Sequence, residues 1–302
     1  MSNALTQIPS YYPTEFTTNW THKVQQMTSK LRDLVTFDTV NGKEKVTQRI
    51  GTVTFQRITE RAGSTRITDL NLEKRWLRIA PYDDAKLFDE WDDEFLGQIV
   101  LPTSPLIESQ SRAYARLCDS VIITAAIGDA ITGVDGTTLT PLPSGQQVAV
   151  DYVETGSTAN SGLTIAKMRA AKYILDNNDV DDMEQRTLVV TARQLQNLLR
   201  TTEVTSHDYN DVKALVDGKV DTFLGFYIKR VSSTIVPKTG NIRSLPFFVK
   251  SGVRFADTGK QTLMDIIPTQ SHSVQIRTKG AVGAVRDEEE KAGVIFCDET
   301  VL

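Results

Sequence analysis

The residues best suited to metal binding or nucleophilic chemistry in this chain are its three histidines and two cysteines. None stands where that chemistry needs it. His22, His207 and His272 are scattered, so no pair has the spacing of a helix or hairpin ligand set. Cys118 and Cys297 lie far apart and give neither a disulfide framework nor a metal knuckle. The densest run of acids is Asp83, Asp84, Asp89, Asp92, Asp93 and Glu94, threaded with Phe88 and Trp91. Clustered carboxylates can bind calcium or serve as acid and base. A calcium loop, however, needs a glycine at its sixth position and a distal glutamate, and the spacing here does not match. The run reads as a solvated or ion-paired face. Gly218-Lys219 is followed by Val220 in place of Ser or Thr and lacks the upstream glycine of a phosphate loop. There is no HExxH and no GxSxG. The sequence therefore assigns no catalytic, cofactor-binding or metal residue and points away from an enzyme.

Composition narrows the class. Hydrophobic residues make up 40% and charged residues 24%, which places the chain among folded globular proteins and not disordered ones. At 302 residues it can bury a core without covalent staples, as one large domain or two smaller ones. The net charge of -4 lacks the basic footprint needed to hold nucleic acid by counterion release. The N-terminal MSNALTQIPSYYPTEF has no positive segment followed by an apolar one, so no secretory signal is expected. The longest apolar run, near Val121 to Ile127, is too short to span a bilayer. The expectation is a soluble product of the cytoplasm with no membrane partner.

Whatever these residues do, regular elements must position them. Phe16, Trp20, Val24, Met27, Leu31 and Leu34 recur at steps of three and four, which predicts an N-terminal helix of about six turns. Its stripe has no obvious cover nearby; it packs either in its own domain or on another subunit. Val53-Thr54-Phe55-Gln56 and Leu70-Asn71-Leu72-Glu73 alternate around the turn signal Arg61-Ala62-Gly63-Ser64-Thr65. This predicts a long hairpin over 46–79, with few large apolar residues near its tip and with Arg57, Arg61 and Arg66 there. A two-stranded ribbon is marginal alone and needs a surface to lie on. Ser104 as cap and Pro105 at the first helical position open a helix to Gly128, with a stripe of Leu106, Ala113, Tyr114, Leu117, Val121 and Ala125. Residues 133–162 read as loops with one short strand at Val148-Ala149-Val150. A helix from Ile165 to the Asp176–Asp179 stop follows, then a buried strand at Thr187–Thr191 and a short helix at Ala192–Leu199. Asp211–Val216 reads as a further helix. Strands are expected at Phe223–Ile228, Phe247–Val249, Val274–Arg277 and Val294–Phe296. No βαβ rhythm and no internal repeat is present, so the class is α+β.

Several runs carry a resemblance. Ala214 to Phe226, with Gly218, an apolar stretch and Gly225-Phe226, resembles a phrase of tailed-phage major capsid proteins. Leu163 to Leu199, where Val189-Val190-Thr191 leads into Gln194-Leu195, is similar to the same family. So is Leu72 to Asp93, where Lys74-Arg75-Trp76 runs into Tyr82-Asp83 and the acids, ahead of a Ser-Pro-capped helix carrying Arg116 and Asp119. The order of elements matches as well. The resemblance covers most of the chain and implies the Hong Kong 97 capsid fold.

On that fold, residues 1–45 correspond to an N-terminal arm and 46–79 to the E-loop hairpin that lies across an adjacent subunit. Residues 80–186 correspond to a peripheral domain with a spine helix at 105–127, 187–262 to an axial domain, and 263–302 to a return to the peripheral domain. The implied function is a shell built from hexamers and pentamers of this chain around DNA that is enclosed but not read. Implied partners are a separate scaffolding protein, since only a short arm precedes the hairpin, together with a portal and an optional cement protein. An encapsulin-like compartment shell, or another phage structural protein, is the alternative. The residues expected at subunit interfaces are Phe16, Trp20, Val24 and Met27 on the arm, Arg57, Arg61 and Arg66 at the hairpin tip, and Asp83, Asp84, Asp92 and Asp93 as the acidic patch that receives the tip. No lysine lies between Val46 and Glu73, so the resemblance implies a shell without the founding member's hairpin cross-link. The implied location is the virion capsid, after synthesis in the host cytoplasm.

Overall fold

The computed structural model describes residues 23–51, 53–55, 57, 67, 69–88, 103–200, 222–270 and 272–301. The chain divides into two compact units. Within the described segments, the larger unit takes 26–82, 114–259 and the chain from 280, and the smaller takes 23–25, 83–113 and 260–279.

The predicted N-terminal helix is corrected over its described part. Residues 23–31 are irregular, and only Arg32–Leu34 form a single 3-10 turn. The physical reason is a tertiary competitor for the backbone donors. The Asp119 carboxylate accepts the N–H groups of Lys30 and Leu31 at 3.0 Å each, and also the Ser29 hydroxyl at 2.6 Å. Those donors have no need of a helical i−4 carbonyl, and Leu31 and Leu34 still reach the core. Strand β1 (Thr36–Asp38) follows.

The hairpin pairs β2 (Glu44–Ile50) with β3 (Leu72–Arg78) in antiparallel register, Glu44 opposite Arg78 and Ile50 opposite Leu72. A last backbone bond, from Gly51 N–H to the Asn71 carbonyl, closes the ladder. Beyond it Val53, Thr54 and Phe55 are not in a strand, so the paired ribbon is shorter than the alternation suggests. Strand β4 (Ala80–Phe88) comes next. Strand β5 (Ala130–Thr132), with no expectation attached to it, and β6 (Thr138–Thr140), expected to be loop, extend the ribbon to a sheet of order β2-β3-β5-β6. Their turn sits under β3: Trp76 Nε1 donates to the Gly133 carbonyl at 2.8 Å. Gly136 has φ +63, and a Cβ there would fall 2.7 Å from the Trp76 ring. Periodicity does not reveal these strands, because they are three residues long and set among Gly and Thr.

Helix α1 runs Thr103–Ile127, starting two residues before Pro105. Its buried face differs from the expected one. Cys118, Asp119, Ile122, Ile123 and Ala126 are buried, whereas Tyr114, Leu117, Val121 and Ala125 are half-buried and Ala113 is exposed. The last two turns are apolar nearly all round, so periodicity cannot choose a side; the buried Asp119 contacts do.

The main sheet of the larger unit has the order β7 (Gln147–Val148), β16 (Ala292–Asp298), β12 (Ile242–Val249), β8 (Arg186–Val190), β10 (Phe226–Arg230) and β9 (Thr222–Phe223), with β11 (Lys238–Thr239) beside β12. Strand β7 (Gln147–Val148) and helix α2 (Ile165–Asn177) come first. The Thr164 side chain caps α2 by accepting from Lys167 N–H at 3.3 Å, and Asp179 at φ 54 turns the chain away. Strand β8 (Arg186–Val190) is buried at every position, as a central strand covered on both faces must be. Helix α3 (Ala192–Leu199) follows, with Gln194 accepting from the Thr191 N–H at 3.2 Å. Strands β9 (Thr222–Phe223) and β10 (Phe226–Arg230) meet at a two-residue turn, Leu224 and Gly225, both at positive φ. Strands β11 (Lys238–Thr239) and β12 (Ile242–Val249) form the next pair.

Strand β13 (Val253–Asp257) lies parallel to β1 and antiparallel to the far end of β15 (Ser273–Arg286). Strand β14 (Gln261–Ile267) pairs with the near end of β15 in the smaller unit. Gly283 permits a close crossing, since a Cβ there would sit 2.0 Å from the Arg78 carbonyl oxygen. Strand β16 (Ala292–Asp298) closes the main sheet beside β12. The core gathers Leu31 and Leu34, the buried face of α1, Met168, Ala171 and Leu175 of α2, and Leu188, Val190, Phe226, Phe247, Phe248 and Ile295 of the sheet.

Candidate assembly surfaces

The hairpin base presents two unlike faces. Strand alternation puts Lys45, Thr47, Arg49, Glu73, Arg75 and Leu77 on one side and Glu44, Val46, Gln48, Ile50, Leu72, Lys74, Trp76 and Arg78 on the other. The first side is turned inward. Buried Arg75 donates from Nε to the Asp287 carbonyl at 3.0 Å and ion-pairs with Glu289. Arg49 donates to the same Asp287 carbonyl and stands 3.7 Å from Glu289. Arg254 bridges Asp287 at 3.2 Å and Asp38 at 3.6 Å. Below them Arg286, fully buried, donates to the carbonyls of Gly128 at 2.5 Å and Thr140 at 3.0 Å. Burial lowers its pKa from the ordinary guanidinium value, while Glu289 works against that shift. The inner face of the ribbon and the Asp287–Glu290 segment line a hollow of about 980 Å³. Asp287 Oδ1 and Glu289 Oε1 are buried without a hydrogen-bond partner among the described residues.

The opposite side is turned outward and is the apolar one. Ile50 is 68% exposed and Leu72 63% exposed, directly opposite each other. Val46, Val53, Phe55, Ile67 and Leu70 are exposed as well. At the ribbon base, Ile50 and Leu72 sit on the face away from the domain; the expectation of few large apolar residues concerns the tip, most of which lies outside the described residues. Of the three tip arginines, Arg57 is exposed, and Arg61 and Arg66 lie outside the described residues.

Phe16 and Trp20 of the expected arm also lie outside the described residues. Val24 and Met27 are exposed on irregular chain rather than on a helix stripe. What the structure offers at this end is Asp119, buried on α1, with Gln26 and Ser29 joining Lys30 and Leu31 around its carboxylate. No local pattern signals this anchor, because its partners lie about ninety positions upstream.

Asp83 and Asp84 are neighbours on β4 and point to opposite faces. Asp83 is 2.6 Å from Arg277 on β15. Asp84 is 3.0 Å from Lys86 and accepts from Gln110 of α1 at 3.0 Å. Both already have cationic partners in their own chain. Lys86 and Gln110 hold the Asp84 carboxyl below its ordinary range against the opposing effect of burial. Asp92 and Asp93 lie outside the described residues.

Elsewhere the titratable groups are tied into the fold. The buried Lys167 ammonium donates to four main-chain carbonyls, of Val150, Ser161, Gly162 and Phe296, at 2.7–3.1 Å. Desolvation lowers its pKa. Glu299 accepts from Arg243 at 2.8 Å and lies 2.8 Å from Lys238; Arg243 above all brings its pKa down to about 2. Burial pushes the thiols of Cys118 and Cys297 up to about 12 each, which leaves them protonated and poor nucleophiles. Among the described residues there is no cluster of three His, Cys, Asp or Glu fit for a metal ion, and no helix is long and apolar enough to cross a membrane. The arrangement suits holding surfaces in place more than reacting with a substrate.

Comparisons with known proteins agree with that reading. No curated protein matches the sequence. Among solved structures, the capsid of cyanophage P-SCSP1u superimposes with a TM-score of 0.71 at 15% identity, over 95% of this chain and 93% of that one. Mycobacterium phage Che8 gives 0.69 at 17% identity, over 97% and 98%. The acid-stable capsid of Helicobacter pylori bacteriophage KHP30 gives 0.72 at 8% identity, over 98% of each chain. At such identities these likenesses establish the fold, the capsid fold of Hong Kong 97. The family model for phage capsid protein matches residues 8–299, nearly the whole sequence, and the chain belongs to that family of structural, non-enzymatic virion proteins.

Proposed function

We propose that this chain is the major capsid protein of a tailed phage and assembles through hexamers and pentamers into the icosahedral shell around packaged DNA. The family match over residues 8–299 is the observation that carries this reading. Residues 1–45 act as the arm and 46–79 as the hairpin that overlaps an adjacent subunit. Residues 80–186, with the spine helix, and 263–302 make the peripheral domain, and 187–262 make the axial domain around the symmetry axes. The chain is made in the host cytoplasm. It takes a separate scaffolding protein and a portal as partners, with a cement protein as an optional addition. DNA is enclosed without sequence-specific contact; the net charge of -4 supports this, because a weakly acidic wall does not trap phosphate by counterion release. The test is electron microscopy of the chain expressed with and without scaffold. Closed shells with six-fold and five-fold capsomers are expected. Discrete small particles under every condition overturn the proposal.

A further inference from the structure

We propose that Asn41-Gly42, in the turn between β1 and β2, is a site of spontaneous covalent modification. The Asn41 side-chain amide is lost as ammonia, and aspartate and isoaspartate take its place. The inference does not depend on the capsid reading.

The chemistry needs no partner but water. The Gly42 main-chain nitrogen gives its proton to solvent and attacks Cγ of Asn41. A carbon–nitrogen bond forms there, the side-chain carbon–nitrogen bond breaks, and ammonia leaves. Water then opens the resulting cyclic imide at either of its carbonyls. One opening gives aspartate. The other gives isoaspartate, in which the main chain runs through the former side chain. The net change exchanges one amide and one water for one carboxyl group and one ammonia, and nothing is oxidised or reduced.

Sequence, exposure and hydrogen bonding all favour this step at position 41. Asn41 is the sole asparagine of the sequence followed by glycine, and a residue without Cβ leaves the attacking nitrogen uncrowded. Both residues are exposed in irregular backbone. Gly42 has φ +139, with nothing within 4 Å of a Cβ built on it. Among the described residues neither Asn41 nor Gly42 has a hydrogen-bond partner, so neither the attacking nitrogen nor the amide is held in place. Asn160, followed by the small Ser161, is the contrast. The Ser161 N–H donates to the Val150 carbonyl at 3.1 Å, and the Ser161 carbonyl accepts from the Asp298 N–H at 2.9 Å. Asn160 Nδ2 donates to the Asp298 carboxylate at 3.4 Å. There both reacting groups are engaged.

The turn is anchored on either side. Val40 packs on the cluster of Leu77, Ala130, Ala256 and Val285, and the Lys43 carbonyl accepts from the Ile79 N–H at 3.1 Å. The extra main-chain carbon of isoaspartate is taken up in the exposed turn between those anchors, and the fold survives. The new carboxylate stands next along the chain to the Asp38–Lys45 ion pair that links β1 to β2. Each copy that reacts gains one negative charge at the base of the hairpin.

The test is timed incubation of the purified full chain in mildly alkaline buffer, both folded and in urea, read by peptide mass spectrometry and an ammonia assay. In the folded chain Asn41 should gain about 1 Da with release of an equal amount of ammonia. It should do so at least about tenfold faster than Asn160. Urea should speed Asn160 manyfold and Asn41 by less than about twofold, because only Asn160 is released from hydrogen bonds. Asn41→Ser, in an exposed turn, should stay folded by circular dichroism and lose the ammonia release. An Asn41 that is stable in the folded chain but converts in urea overturns the inference. So does equal conversion of Asn160 in the folded chain, or undiminished ammonia release from Asn41→Ser.

Discussion

Strand β8 and the β2/β3 hairpin place charge and apolar bulk in opposite ways. In β8, Thr187, Leu188, Val189 and Val190 form a run buried on both faces, flanked by β12 and β10. Its one charge, Arg186, reaches out at the strand end to Asp176 at 2.5 Å and Asp182 at 2.7 Å. In the hairpin, Arg49 and Arg75 point inward while Ile50 and Leu72 point outward. A buried arginine is satisfied only where carboxylates and carbonyls converge, and Asp287 and Glu289 supply that convergence. A half-buried strand, then, is not always apolar inside.

Variants in three places probe this contrast. The largest effect is expected in the core. Phe247 is fully buried, packs edge-on against Phe226 with centroids 6.2 Å apart, and faces Leu188 across the ladder. Phe247→Ala should cost about 3–5 kcal/mol, read from the denaturant midpoint at constant slope. A loss under about 1 kcal/mol would mean that the sheet repacks around the missing ring, and that its two-sided burial contributes less than the hairpin's ionic face.

On the hairpin's inner face, Arg75→Met should cost about 3 kcal/mol, because it removes the closest cation from buried Glu289 and leaves only Arg49 at 3.7 Å and Arg286 at 4.0 Å. The double variant Arg75→Met/Glu289→Leu should recover most of that loss, since an apolar pair can replace a buried ion pair once neither charge is left behind. If the double variant is as unstable as the single one, the ionic face does more than balance its own charges.

The smallest effect concerns acid. The folded pKa of Glu299 lies at about 2, below its ordinary 4.5, so its stabilisation is complete above pH 4.5 and lost as pH falls towards 2. Equilibrium stability should therefore decline across that window, and Glu299→Gln should flatten the decline while lowering stability at neutral pH. An unchanged slope would show that the Arg243 and Lys238 contacts persist in the unfolded chain or contribute nothing.

Much of the fold is legible along the chain. The second and third helices, the β8 run and the mixed α+β class follow from short-range patterns, whereas the single strand expected at Phe223–Ile228 is split in two by the Leu224-Gly225 turn. Strands β5, β6 and β14 escape such patterns for two reasons. The first two are only three residues long, and the residues of β14 are nearly all exposed, so its sequence carries no burial signal. The interface expected at Val24 and Met27 depends on a helix that the Asp119 contacts replace. The apolar residues of the hairpin are visible as an alternation, but alternation does not say which face is inside.

Local chemistry alone accounts for where helices 165–177 and 192–199 begin and end, where the chain turns, and the lack of a catalytic motif. Those features depend on caps, glycines and spacings that act within a few residues. Three others exist only in the folded molecule: which side of the hairpin is inward, which face of α1 is buried, and the irregular path of residues 23–31. Each was settled by a charged side chain meeting a partner far away in sequence: Arg75 with Glu289, and Asp119 with Lys30 and Leu31. Removing a charge from water is costly unless a partner waits at the right place, and that place exists only once the chain has folded.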